Sequence, residues 1–122
     1  MIFIAIGGAI GSVLRYLVSL GMYTYLGRGF PYGTLVVNML GSLLMGFLTL
    51  LLLERLDGMA NVLRSLLLVG FLGGFTTFST FSMETLSQLE SGNIKQALLN
   101  VALNLGLCLL MVWLGALIAR KL

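Results

Sequence analysis

Chemistry in this chain is confined to polar side chains set into long apolar runs. The densest group is Gly73-Gly74-Phe75-Thr76-Thr77-Phe78-Ser79-Thr80-Phe81-Ser82, in which five hydroxyl residues fall within seven positions and phenylalanine recurs every three residues. Arg15 stands inside the first apolar run. Thr34, Asn38, Ser42 and Gly46 repeat every four residues in the second, and Asn100, Asn104 and Cys108 do the same in the last. Asn amides, Ser/Thr hydroxyls and a guanidinium all donate hydrogens, and none carries negative charge, so the set suits an anion. The edge of a phenylalanine ring is electropositive and can face an anion too. A wall alternating such edges with hydroxyls would bind a small anion weakly enough to release it, which is what conduction requires.

Each group also has a plainer explanation, and from the residues alone both stand. Phenylalanine at i, i+3 and i+6 packs helix cores, and asparagine inside a membrane joins helices without any ligand. Arg15 is costly near the centre of a span unless it has a partner, an aqueous cavity, or room to snorkel to an interface. Cys108 reads as a small packing residue. Glu84, the one acid within a span, reads as a solvated vestibule residue, with a proton-carrying or anion-repelling role as the sharper alternative.

The elements that position these residues follow from composition. Of 122 residues, 59% are hydrophobic and 9% charged, which excludes an ordinary soluble domain and leaves a single all-α membrane domain over 1–122. The chain has no histidine and one cysteine, so His-based catalysis and an internal disulfide are excluded and no metal cluster is suggested. Lys and Arg are scattered, giving nucleic-acid binding no footing. Met1 leads directly into Ile-Phe-Ile-Ala-Ile, without the basic segment and cleavage site of a signal peptide, so the first span is expected to be retained.

A membrane helix needs about 20 apolar residues, which places spans near 2–25, 33–53, 62–89 and 94–118. The connections are short: one with Gly27, Arg28, Gly29 and Pro31, a charged one over Glu54 to Asn61, and a tight turn over Glu90 to Asn93. An up-and-down bundle follows. The third run, 62–89, is longer than one straight helix needs. Its glycine pair and hydroxyl run predict a break near 73–80 at mid-membrane. Unwound backbone at that depth needs protein or a cavity against it, and its freed carbonyls and N–H groups can coordinate ions. Arg55, Arg64, Arg120 and Lys121 on one side stand against Arg28 and Lys95 on the other. So small a bias specifies orientation weakly, and an antiparallel dimer of oppositely inserted copies is open.

Three stretches carry a resemblance: Gly7-Gly8-Ala9-Ile10-Gly11-Ser12-Val13-Leu14-Arg15-Tyr16, Gly33-Thr34-Leu35-Val36-Val37-Asn38-Met39-Leu40-Gly41-Ser42, and Gly70-Phe71-Leu72 followed by Gly73 to Ser82. In this order they are similar to the bacterial fluoride channels of the Fluc (CrcB) family. The resemblance implies a dual-topology, antiparallel homodimer in the bacterial inner membrane, with two fluoride pores each built from both subunits. It implies that Phe78 and Phe81 turn ring edges to fluoride, that Asn38 donates an amide hydrogen, and that Ser79 and Thr80 supply pore hydroxyls. Arg15 would lie at the wide aqueous entrance. A structural sodium ion on the dimer axis would be held by the carbonyls of Gly73 and Thr76. The fourth span departs from the family pattern, with Asn100, Asn104 and Cys108 where tyrosine or serine is frequent; Asn104 is counted among the pore donors. The implied function is passive export of fluoride, which relieves its toxicity and needs no enzymatic step.

Two rival classes remain. A proton-coupled small multidrug exporter needs a carboxylate deep in the membrane, for which Glu84 is the candidate. A non-transporting scaffold needs only polar stripes that join helices.

Overall fold

The computed structural model describes residues 1–55 and 60–122. Helix α1 (Ile2–Leu26) ends at Gly27, whose φ of 81° costs glycine nothing and whose N–H closes on the Tyr23 carbonyl at 3.0 Å. Pro31 precedes α2 (Tyr32–Arg55), where its missing N–H is no loss. Residues 56–59 of the expected charged connection lie outside the described residues. The third run is a succession of short elements: α3 (Ala60–Leu63), a wide π-helical segment (Arg64–Leu72), α4 (Gly73–Phe75), an extended pair at Thr76 and Thr77, and α5 (Phe78–Glu90). A turn with Gly92 at φ 82° leads to α6 (Ile94–Lys121). Four stretches, Ile2–Leu26, Tyr32–Leu52, Asn61–Glu90 and Ile94–Lys121, are long and apolar enough to cross a membrane.

Apolar surface cannot drive helices together in lipid, so close approach of backbones has to. Glycines make that approach at two seams. Between α1 and the third run, a Cβ on Gly7 would fall 2.8 Å from the Phe71 nitrogen, one on Gly70 2.7 Å from the Ile4 oxygen, and one on Gly74 2.7 Å from the Gly8 oxygen. Between α2 and α6, a Cβ on Gly115 would fall 2.8 Å from the Phe47 nitrogen, and one on Gly46 2.9 Å from the Val112 carbonyl carbon. The third run changes partner along its length: the π-helical segment and α4 pack on α1, whereas α5 packs on α6.

Burial departs from that of a soluble bundle in both directions, although Leu35, Val37, Leu52, Leu72 and Phe75 still form an apolar core. Leu14, Leu20, Leu40, Leu98, Leu109 and Trp113 are among many exposed large apolar residues, while Thr34, Thr77, Asn100 and Asn104 are buried. Polar groups turned inward have to find one another, and that requirement builds the site.

If the seams depend on absent side chains, Gly115→Ala should lower the unfolding midpoint in detergent by several degrees, an overpacking cost of about 1–3 kcal/mol. Gly21→Ala, where a Cβ meets nothing within 4 Å, should not; equal midpoints for the two variants would contradict the assignment.

Candidate functional site

The site is organised by the extended pair. Thr76 has φ −81° and ψ 157°, and Thr77 has φ −152° and ψ 111°. In a continuous helix the Thr77 N–H would bond the Gly73 carbonyl; here it donates to Asn38 Oδ1 at 2.9 Å, while Asn38 Nδ2 donates back to the Thr77 carbonyl at 3.1 Å. One amide from α2 thus satisfies both main-chain groups of the residue that leaves the helix. The Thr76 N–H and hydroxyl both return to the Leu72 carbonyl, each at 3.0 Å. Thr77 then caps α5: its hydroxyl oxygen accepts from the Thr80 N–H at 3.2 Å and its hydroxyl donates to Thr80 Oγ1 at 3.0 Å, replacing an N–H partner that a helix start lacks.

From Asn38 a chain of side-chain hydrogen bonds runs inward. Asn38 Nδ2 donates to Asn104 Oδ1 at 3.3 Å, Asn104 Nδ2 to Asn100 Oδ1 at 2.9 Å, Asn100 Nδ2 to Thr85 Oγ1 at 3.0 Å, and Thr85 Oγ1 to the Phe81 carbonyl at 2.8 Å. Both amide hydrogens of Asn38 are engaged, one by the Thr77 carbonyl and one by Asn104.

Beside this chain lies a cavity of about 280 Å³, walled by Asn38, Ser42 and Met45 of α2, the Thr76–Thr77 pair, Phe78 and Phe81 of α5, and Asn104 and Cys108 of α6. A second cavity of about 410 Å³, mostly apolar like the first, lies along Thr85, Leu89 and Val101 and shares Phe78, Phe81 and Leu105 with it. The two phenylalanines, with Leu105 of α6, are therefore the common wall of both openings. Their rings meet edge to face, with centroids 5.4 Å apart and planes at 60°. Phe81 is 7% exposed and Phe78 is 72% exposed.

A family model described as CrcB-like protein, Camphor Resistance (CrcB), matches residues 2–116. The chain belongs to the CrcB-like family. Relatives named fluoride-specific ion channel FluC extend over nearly all of it. That of Coxiella burnetii (strain Dugway 5J108-111) is 52% identical over 122 residues, covering 100% of this chain and 98% of the relative. That of Magnetococcus marinus is 51% identical over 117 residues, covering 96% and 94%. That of Methylococcus capsulatus is 53% identical over 119 residues, or 98% of this chain but 52% of the relative, so the chain spans about half that protein's length. With four helical stretches among the described residues long and apolar enough to cross a membrane, this CrcB-like chain is a multi-pass bacterial membrane protein.

Of the residues singled out in the CrcB-like sequence, Asn38, Thr76, Phe78, Phe81 and Asn104 meet at the first cavity. Ser79 and Thr80 are exposed and stay off it; the Ser79 hydroxyl lies 3.4 Å from that of Thr77. Gly73 is exposed on the other side of the interruption. Arg15 is half-buried on α1, away from the cavity. Glu84 is more engaged than a solvated vestibule residue: its carboxylate accepts from the Tyr23 hydroxyl at 3.1 Å and from the Thr34 hydroxyl. It lines a cavity of mixed polarity, about 390 Å³, with Arg28 and Gln88, and Arg28 stacks over the Tyr23 ring at 4.9 Å. Thr77 and Thr85 were not singled out by the sequence. A threonine just before a helix start signals the first; a hydroxyl four residues after Phe81, on the same face, is the only signal for the second.

Losing the cap in Thr77→Val should cost about 1 kcal/mol of stability, read as a lower unfolding midpoint in detergent, and Thr77→Ser should restore it. Equal midpoints for Val and Ser variants would remove the cap from the account.

Proposed function

We propose that this protein is a fluoride-specific ion channel that lets fluoride leave the cytoplasm down its gradient and so relieves fluoride toxicity. The relatives' names support this reading. The observation that carries it is the phenylalanine pair as shared wall of two cavities, with hydrogen-bond donors on one side. Fluoride is small and strongly hydrated, so its path must replace water with placed donors and ring edges. The amide hydrogens of Asn38 are already engaged, so an ion at the cavity has to compete for one of them. That competition keeps binding weak and release fast. Ser42 and Cys108 add side-chain hydrogens along the same wall. No bond is made or broken, and no enzymatic step is needed.

A ring 72% exposed beside a buried donor chain is half of a wall. We therefore assign the other half to a second copy, in an antiparallel homodimer with two pores, the interruption at Thr76–Thr77 lying at mid-membrane. Ser79 and Thr80, exposed in one chain, then face the partner side of the path, and Arg15 its wide entrance. The structural sodium ion fits the donor set: the Thr77 N–H has left the Gly73 carbonyl for Asn38, and the extended Thr76 turns its carbonyl off the helix axis. These hard carbonyl oxygens would hold the cation between two copies, where it supplies positive charge and cross-linking at the interface.

Reconstituted in liposomes, the protein should release fluoride rapidly and chloride hardly at all, independent of a proton gradient. Phe78→Leu and Phe81→Leu should each reduce fluoride efflux about tenfold or more, equivalent to about 1.4 kcal/mol of barrier, while eluting as the parent does. Proton-coupled cation exchange would establish an exporter instead, silence would establish a scaffold, and unchanged flux in both variants would remove the aromatic assignment.

The assembly has its own test. Tags on the C-terminus should be reached from both membrane faces, and exchanging sodium for a large organic cation should weaken the dimer. Tags on a single face refute dual topology; a dimer indifferent to sodium refutes the Gly73 and Thr76 site.

A further inference from the structure

Hydroxyls that bond the carbonyl four residues back occur repeatedly in this chain, and they differ in one respect. Those of Thr24 to Leu20, Ser82 to Phe78 and Ser91 to Ser87 are exposed, that of Thr76 to Leu72 is part-buried, and all four end on their own run. Thr85 Oγ1 donates to the Phe81 carbonyl at 2.8 Å and also accepts from Asn100 Nδ2 of α6 at 3.0 Å. Donating through its hydrogen makes the oxygen a better acceptor, so the two bonds reinforce each other. Asn100 is 1% exposed, the one polar residue among the largest fully buried side chains of the described residues. Asn104 Nδ2 fixes it from behind through both its side-chain and main-chain oxygens, at 2.9 and 3.0 Å.

Helix α5 needs such a tether. Phe78, Met83, Leu86 and Leu89 are exposed, and Phe81 is its one buried apolar side chain. Within one chain little apolar packing resists rotation of α5 about its own axis, and that rotation would carry both rings out of the wall they share. Thr85 lies four residues from Phe81, on the same face. Glu84 ties α5 to Tyr23 and Thr34 on α1 and α2; the Asn100–Thr85 bond ties it to α6, the helix it packs on.

We propose that Asn100 and Thr85 are positioning residues: they set the rotation of α5 and with it the attitude of the Phe81 ring, and thereby the preference of the path for fluoride over chloride. The second part rests on the fluoride-channel reading; the first does not.

Thr85→Val keeps the shape of the side chain and removes its hydroxyl. In liposomes it should lower fluoride efflux about tenfold and narrow the fluoride-to-chloride ratio, which loss of stability alone would not do. Thr85→Ser should restore both. Thr24→Val, which removes the same kind of bond where no second helix is tied, should leave both unchanged. With para-fluorophenylalanine in place of Phe81, the fluorine resonance should shift or broaden in Thr85→Val and return in Thr85→Ser; Thr85→Ala carries the same measurements if the valine variant does not fold. Parental selectivity together with an unchanged ring resonance overturns the proposal. If the parent protein passes no fluoride, the channel reading falls, and the ring resonance alone decides whether Asn100 and Thr85 position Phe81.

Discussion

One side chain holds the architecture in place. A residue that leaves a helix inside a membrane frees an N–H and a carbonyl, each costing several kcal/mol if it stays unpaired in hydrocarbon. Asn38 removes both costs at Thr77 with two opposed hydrogen bonds of 2.9 and 3.1 Å. Because that crossing is tolerated, the third run can pack its first half on α1 and its second half on α6. The Thr77 hydroxyl can then start a new helix with Phe78 and Phe81 in its first turn, and the Gly73 carbonyl loses its ordinary partner. Without the amide, a continuous helix would present neither the rings nor that carbonyl.

The glycine seams make this affordable in space. Close backbone approach on the α1 side and between α2 and α6 draws the bundle tight enough for Asn38 on α2 to reach Thr77 and Asn104 at once. The resulting network is largely self-contained: Asn38, Asn104 and Asn100 bond one another, the Thr77 main chain and Thr85 within the protein.

Much of this was legible from residue types. Long apolar runs specified helices able to cross a membrane, and the four-residue repeats of Asn38 and Asn104 specified inward polar stripes. Gly73-Gly74 followed by hydroxyls pointed at the stretch containing Thr76 and Thr77. Less visible was how an asparagine divides its hydrogen bonds. Asn38 and Thr77 are 39 residues apart, and Asn38 and Asn104 are 66 apart, so no local pattern reports that the amide is committed to backbone and neighbour. Glu84 shows the same limit: position near a helix end suggested solvent, whereas Tyr23 and Thr34, brought from two other helices, meet its carboxylate.

By itself the sequence determined which faces are polar, where a helix is weak, and which donors and ring edges are available, because these follow from side-chain chemistry and the helical period. Tertiary structure decided which donors are already engaged, that Phe78 and Phe81 divide two cavities, and that Asn100 reaches Phe81 through Thr85. Those outcomes depend on where glycine contacts let helices approach and on which distant partner satisfies each buried polar group, and neither is written in the spacing of residues along one helix.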